Sequence, residues 1–161
     1  MPGPEPPETA RPKLRVWLEH ATAEHVPALL DWMRDFYSHE GIPFDPAVSE
    51  PVLRELLARP QIGSVVEIVA DGRPVGYAVL ALGFSLEFGG RSAFLDELYV
   101  HPDWRGRGIG TIALRLLQET SRELGARSLA LEVSLDNVGA ENLYRREGFT
   151  SNGRQLMTRR I

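Results

Sequence analysis

The run Val100-His101-Pro102-Asp103-Trp104-Arg105-Gly106-Arg107-Gly108-Ile109-Gly110 constrains the fold most, because it joins an apolar strand to an amphipathic helix through closely spaced glycines. Upstream, Ala93 to Val100 is rich in aromatic and branched residues, and Pro102 stops the strand that this composition predicts. Downstream, Ile109, Ile112, Ala113, Leu116, Leu117 and Leu124 recur at helical spacing, with Gly125 where the helix should end. The glycines therefore sit at a helix N-terminus. Free backbone N–H groups and the positive end of the helix dipole meet there, and the missing Cβ atoms let a phosphate approach closely. Arg105 and Arg107 add positive charge. The spacing is neither Gly-x-x-x-x-Gly-Lys-Ser/Thr nor Gly-x-Gly-x-x-Gly, which excludes a P-loop and a dinucleotide fingerprint. Either another phosphate-bearing ligand binds here or the loop is a plain strand-to-helix turn.

A second motif follows after one helix and one strand: Asn137-Val138-Gly139-Ala140-Glu141-Asn142-Leu143-Tyr144-Arg145-Arg146-Glu147-Gly148-Phe149. Together, Arg105-x-x-Gly108-x-Gly110 and Asn137-x-x-Ala140-x-x-Leu143-Tyr144-x-x-x-Gly148-Phe149 resemble the GNAT superfamily of acetyl-CoA-dependent N-acetyltransferases. The resemblance extends over residues 14 to 161 in element order and is most specific over 93 to 149. It implies an α/β fold: one GNAT-like domain with a mixed, mostly antiparallel central sheet flanked by helices on both faces. Two central strands splay apart in that fold, here those ending at Val100 and near Ser134. The pantetheine arm of acetyl-CoA (coenzyme A) would enter the gap. The segment Glu97-Leu98-Tyr99-Val100 is also similar to the Hpa-type histone and polyamine acetyltransferase branch.

Composition narrows the chemistry. A chain of 161 residues buries one continuous core without staples, and the absence of cysteine excludes disulfides and an acyl-enzyme route through a thiol. A formal net charge of -4 argues against a nucleic-acid partner and is compatible with a cationic substrate. No segment has the length of a membrane span, and the N-terminus lacks a secretion signal, so a cytoplasmic enzyme is expected. His20, His25, His39 and His101 have no metal-ligand spacing, and no metal is expected.

Along the chain, residues 1–13 read as a flexible Pro-rich tail, and residues 14–161 as the acetyltransferase domain. Leu14 to Glu19 alternates like a first strand. Val26, Leu29, Leu30, Met33, Phe36 and Tyr37 mark a helix with Thr22 as its N-cap, and Val52, Leu53, Leu56 and Leu57 mark a second. Two strands follow, Ser64 to Ala70 and Pro74 to Phe84, joined at Asp71-Gly72; Gly89-Gly90 turns into the strand ending at Val100. Helix 108–124, strand 128–134, helix 138–147 and a hairpin at Asn152-Gly153 complete the order.

Micromolar binding of coenzyme A needs about 8 kcal/mol, whereas a charge at a helix N-terminus gains at most about 2 kcal/mol, so the loop cannot hold it alone. By the resemblance, Arg105, Gly106, Arg107, Gly108, Ile109, Gly110 and Thr111 hold the pyrophosphate. Leu98, Tyr99 and Val100 pair with pantetheine as an added strand would, and Asn137 finishes the arm. Asn137 is equally placed to cap helix 138–147. An alkylamine with pKa near 10.4 is neutral in about one molecule in 2,500 at pH 7, so a base or a route for its proton is needed. Glu97 and Asp96 lie on the strand beside the reacting carbonyl; alternation points them to opposite faces, and Glu97 is the preferred base. A strand N–H near Tyr99 or Val100 would stabilise the oxyanion, and Tyr144 matches the family's proton donor to the departing thiolate.

The expected reaction is direct attack of a primary amine, small-molecule or peptide, in a ternary complex, with a homodimer possible. A non-catalytic acyl-CoA-binding module and transfer of a longer acyl group are the alternatives. The acceptor region falls at Phe36 to Asp45 and Gly83 to Arg91, where Asp35, Glu40, Asp45 and Glu87 supply negative charge.

Overall fold

In the computed structural model, residues 14–161 are described; the Pro-rich segment 1–13 lies outside the described residues. In chain order the elements are β1 (Val16–His20), α1 (Val26–Glu40), α2 (Pro46–Ala58), β2 (Gly63–Ala70), β3 (Arg73–Ser85), β4 (Gly90–Val100), α3 (Ile109–Glu123), β5 (Leu129–Leu131) and α4 (Val138–Arg146), with short 3-10 turns before α1 and after β4. The sheet runs β1-β2-β3-β4-β5; the first four strands are antiparallel, and β5 is parallel to β4.

The antiparallel part follows from turn chemistry. Asp71 and Gly72 both take positive φ, 47° and 80°, as a two-residue hairpin between twisted strands requires. The sheet then buries both faces. On one, Tyr77, Val79 and Tyr99 pack against Val26, Leu29, Leu30 and Met33 of α1 and Leu53 of α2. On the other, Val66, Ala78, Leu80 and Leu95 meet Leu114 and Leu117 of α3, with Leu143 and Tyr144 of α4 at the margin. Period-2 strands between period-3.6 helices thus form the expected mixed sheet with helices on both faces.

Four expectations change. Thr22 precedes a 3-10 turn, Ala23–His25, rather than α1 itself, and Val52 faces solvent while Leu53, Leu56 and Leu57 carry the contact of α2. The strand expected at 128–134 contracts to Leu129–Leu131. Beyond Leu131 the chain leaves the sheet to reach the start of α4, so the pairing stops. The hairpin at Asn152-Gly153 does not form: residues after Phe149 adopt no strand, and a three-residue edge offers a return strand little to pair with. Arg154 instead donates to Glu87 on the β3–β4 hairpin at 2.6 Å.

Candidate active site

The glycine loop is shaped by two left-handed residues. Gly106 has φ 73° and Gly108, the N-cap of α3, has φ 78°; a Cβ built at either meets nothing within 4 Å. The loop opens to space that side chains would narrow. The first bond of the helix runs from the Ile112 N–H to the Gly108 carbonyl at 3.1 Å, and among the described residues no backbone N–H from Gly106 to Thr111 donates to the protein. Six consecutive donors at the positive end of a 15-residue helix suit an anion. The two arginines are not free charges at this mouth. The Arg105 Nε donates to the Val100 carbonyl at 2.8 Å, and its guanidinium lies over Tyr99; Arg107 donates to the Asp103 carbonyl and lies over Trp104. Each is drawn in by a nearby carbonyl and an aromatic face, so both shape the loop first.

Next to the loop the sheet opens. Pairing of β4 with β5 is confined to Ala93, Phe94 and Leu95 against Leu129, Ala130 and Leu131, which leaves the β4 edge from Asp96 to Val100 without a neighbour. At the point of separation β4 carries a β-bulge. Glu97 opposes Val79 and Leu95 opposes Leu80, so Asp96 is the extra residue. The bulge changes which side chain faces where. Leu95 and Leu98, three apart, both face α3, whereas simple alternation would place them on opposite faces. Glu97 and Tyr99 consequently turn towards α1.

A cavity of about 130 Å³ occupies this opening. Phe36 and Glu40 of α1 form one wall, Leu95, Asp96 and Leu98 of β4 another, and Glu132 to Ser134 with Asn137, Ala140 and Tyr144 the rest. Burial raises the Asp96 carboxyl, and burial, followed by the nearby Glu40 charge, raises the Tyr144 hydroxyl. Tyr144 therefore stays protonated at neutral pH. Asn137 caps α4, its Oδ1 accepting from the Ala140 N–H at 3.1 Å, while the residue also lines the cavity.

Glu97 sits elsewhere. It is 7% exposed, off the cavity wall, and both carboxylate oxygens are taken: the Tyr37 hydroxyl donates to Oε1 at 2.7 Å and the Tyr77 hydroxyl to Oε2 at 2.5 Å. Burial pushes its carboxyl upward; the two phenol bonds oppose that shift, and the Asp96 charge adds to it.

The sequence model described as the Acetyltransferase (GNAT) family matches residues 26–149. The chain belongs to this family. It is an N-acetyltransferase that uses acetyl-CoA. An aminoglycoside N(6')-acetyltransferase type 1 of Stenotrophomonas maltophilia is 31% identical over 119 residues, covering 71% of this chain and 78% of that enzyme. A thialysine N-epsilon-acetyltransferase of Bos taurus is 36% identical over 89 residues, 52% of each chain. Among solved structures, an integron cassette protein from the mobile metagenome of Cole Harbour Salt Marsh aligns with TM-score 0.78 and 33% identity over 93% of this chain and 91% of its own. An aminoglycoside N-acetyltransferase solved in complex with CoA shares the fold, at TM-score 0.75 and 18% identity over 94% of this chain and 99% of its own.

The residues of this GNAT acetyltransferase fit the coenzyme: the donors from Gly106 to Thr111 match a pyrophosphate, and the edge at Leu98, which no strand pairs, matches an amide-rich arm. Of the four acidic residues read as an acceptor region, Glu40 alone reaches the cavity. Asp35 accepts from the Tyr99 hydroxyl at 3.3 Å, Asp45 caps α2 and Glu87 pairs with Arg154. Glu132 was missed by sequence reasoning. Its signal was faint, a carboxylate immediately after a short apolar strand.

Proposed function

We propose that the GNAT acetyltransferase acylates the primary amine of a small cationic acceptor by direct attack, with Asp96 as proton acceptor and Tyr144 as proton donor. The observation that carries this reading is the opening at the β4 bulge, which brings an acidic side chain and a phenol to one cavity beside the free strand edge. Acetyl-CoA supplies the activated acyl carbon and a thiolate leaving group.

The chain's residues do the remaining work. Backbone N–H groups of Gly106 to Thr111 hold the pyrophosphate, and the β4 edge at Leu98, Tyr99 and Val100 orients the arm towards Asp96. Asp96 takes the first proton from the ammonium group, directly or through a water, so that nitrogen has a lone pair to attack with. Its raised pKa brings a carboxylate closer to the operating pH of a base. As the amide forms, the Tyr144 hydroxyl gives its proton to sulfur and is restored by the second proton leaving nitrogen, carried through water, while Asp96 releases the first proton to solvent. Glu40 and Glu132 face the same space and attract the cation. A cavity of about 130 Å³ is comparable to one that admits a benzene ring, so only the reacting groups enter it. The rest of the acceptor stays at the mouth. An aminomethyl group on a larger polycation meets that limit, as in aminoglycosides, and so does the aminoalkyl side chain of a small amino acid such as thialysine, the substrates after which two relatives are named. Such a reaction belongs in the cytoplasm, where acetyl-CoA is available.

The test is thiol release from acetyl-CoA across aminoglycosides, thialysine, lysine peptides and polyamines. Asp96→Asn should lower kcat about 10²- to 10⁴-fold with little change in the KM for acetyl-CoA. Wild-type kcat in that variant would remove Asp96 from the proton path.

A further inference from the structure

We propose that Glu97 is a positioning residue whose buried carboxylate, clamped between Tyr37 of α1 and Tyr77 of β3, sets the spacing of the two walls of the acceptor cavity. The inference rests on the cavity being the acceptor site. Three observations support it.

First, Glu97 is a carboxylate at 7% exposure with no arginine, lysine or histidine within salt-bridge distance among the described residues, and its oxygens are satisfied by two phenols alone. An apolar side chain of similar volume at this position is the cheaper way to fill a core, since taking a charge from water costs more than two neutral hydrogen bonds return. The arrangement therefore specifies geometry rather than stability.

Second, the clamp joins the elements that carry the cavity walls. Tyr37 lies between Phe36 and Glu40, the two α1 residues on the wall, and Glu97 directly follows Asp96 on β4. One bond between Tyr37 and Glu97 thus registers the α1 wall against Asp96. Third, the clamp is held from behind. Tyr77 is fully buried and stacked on Trp32 of α1 at 6.3 Å and 5°, and Tyr37 lies edge-on to Phe36 and to Phe44. Neither phenol is free to follow a displaced carboxylate.

Substitutions at Glu97 separate this role from proton transfer. A glutamine accepts from one phenol through its oxygen and donates an amide N–H to the oxygen of the other, so Glu97→Gln keeps the clamp and removes the base. Glu97→Leu keeps the volume and removes the clamp; Tyr37→Phe removes only the link to α1. Crystal structures of the three variants and thiol-release kinetics with acetyl-CoA, using tobramycin and thialysine as acceptors, are compared. In Glu97→Gln, α1 and Asp96 should stay in place and kcat should remain within about threefold. In Tyr37→Phe and Glu97→Leu, Phe36 and Glu40 should shift against Asp96 and the acceptor KM should rise about tenfold or more, with the KM for acetyl-CoA unchanged. A loss of about 10²-fold or more in kcat for Glu97→Gln, with the structure intact, would make Glu97 the proton acceptor and overturn the proposal. So would unmoved walls in Tyr37→Phe. If neither acceptor reacts with the wild type, the substrate reading fails while the structures alone decide the clamp.

Discussion

Tyr144 brings a hydroxyl to the cavity that has no hydrogen-bond partner among the described residues, with its ring edge-on to Phe149 at 5.9 Å. Burial keeps the hydroxyl protonated, so it is available as an acid. Thiolate is already a fair leaving group, and Tyr144→Phe should therefore lower kcat towards the weak end of acid catalysis, about 10²-fold, with both KM values close to wild type in steady-state assays. In the proposed function Gly108 acts on the other substrate. With φ 78° at the N-cap, Gly108→Ala forces an L-residue into the left-handed region, at a cost of about 1 kcal/mol, and turns the N–H groups away from the pyrophosphate. The KM for acetyl-CoA should rise about tenfold while that for the amine does not change, and calorimetry on acetyl-CoA binding should show the same loss. The placement of both was legible in the sequence, because a glycine at a strand-to-helix junction and an aromatic at fixed spacing on a short helix depend on local geometry. That of Asp96 and Glu97 was not. Alternation does not hold across them, because an inserted bulge residue, which leaves no mark in composition, decided which one meets the cavity.

Strands β3 and β4 are held close where β4 becomes free. At Gly76 an added Cβ would run into the Tyr99 carbonyl and lie 3.0 Å from the Val100 Cα. Gly76→Ala should cost about 1–3 kcal/mol in denaturant unfolding, because backbone rather than a flexible side chain must yield. Helices α3 and α4 are joined by Arg115, whose Nε and an Nη donate to the Glu147 carboxylate at 2.7 and 2.9 Å; this ties the helix carrying Tyr144 to the one carrying the loop. Element order and the hairpin at Asp71-Gly72 could be read from turn residues and periodicity. The length of β5 could not, since Val133 continues the alternation of Leu129 and Leu131 although pairing with β4 stops at Leu131.

At the scale of the whole molecule, three carboxyls among the described residues, Glu67, Asp96 and Glu97, are held above their ordinary range by burial. A raised folded pKa gives stability that is complete below the unfolded pKa and is lost as pH rises through the folded value. For Glu97 the charged form is therefore the destabilising one. Glu97→Gln should unfold at equal or higher denaturant concentration than wild type at pH 8, and the advantage should vanish towards pH 4, where the wild-type carboxyl is protonated. Urea titrations at the two pH values check this. Glu67 differs in having a partner, His25, whose Nε2 lies 3.5 Å away while its Nδ1 accepts from the Thr22 N–H at 2.9 Å.

Composition, periodicity and two motifs by themselves determined the family and the layered α/β sheet, and marked the glycine loop and the helical aromatic, because each depends on residues near one another in the chain. Tertiary structure alone decided which carboxylate lines the cavity, that Glu40 and Glu132 join it, and that Glu97 is bound by two tyrosines 60 and 20 residues away. Those outcomes depend on strand register and on where a strand pair separates, which packing of the whole sheet sets and no short segment encodes.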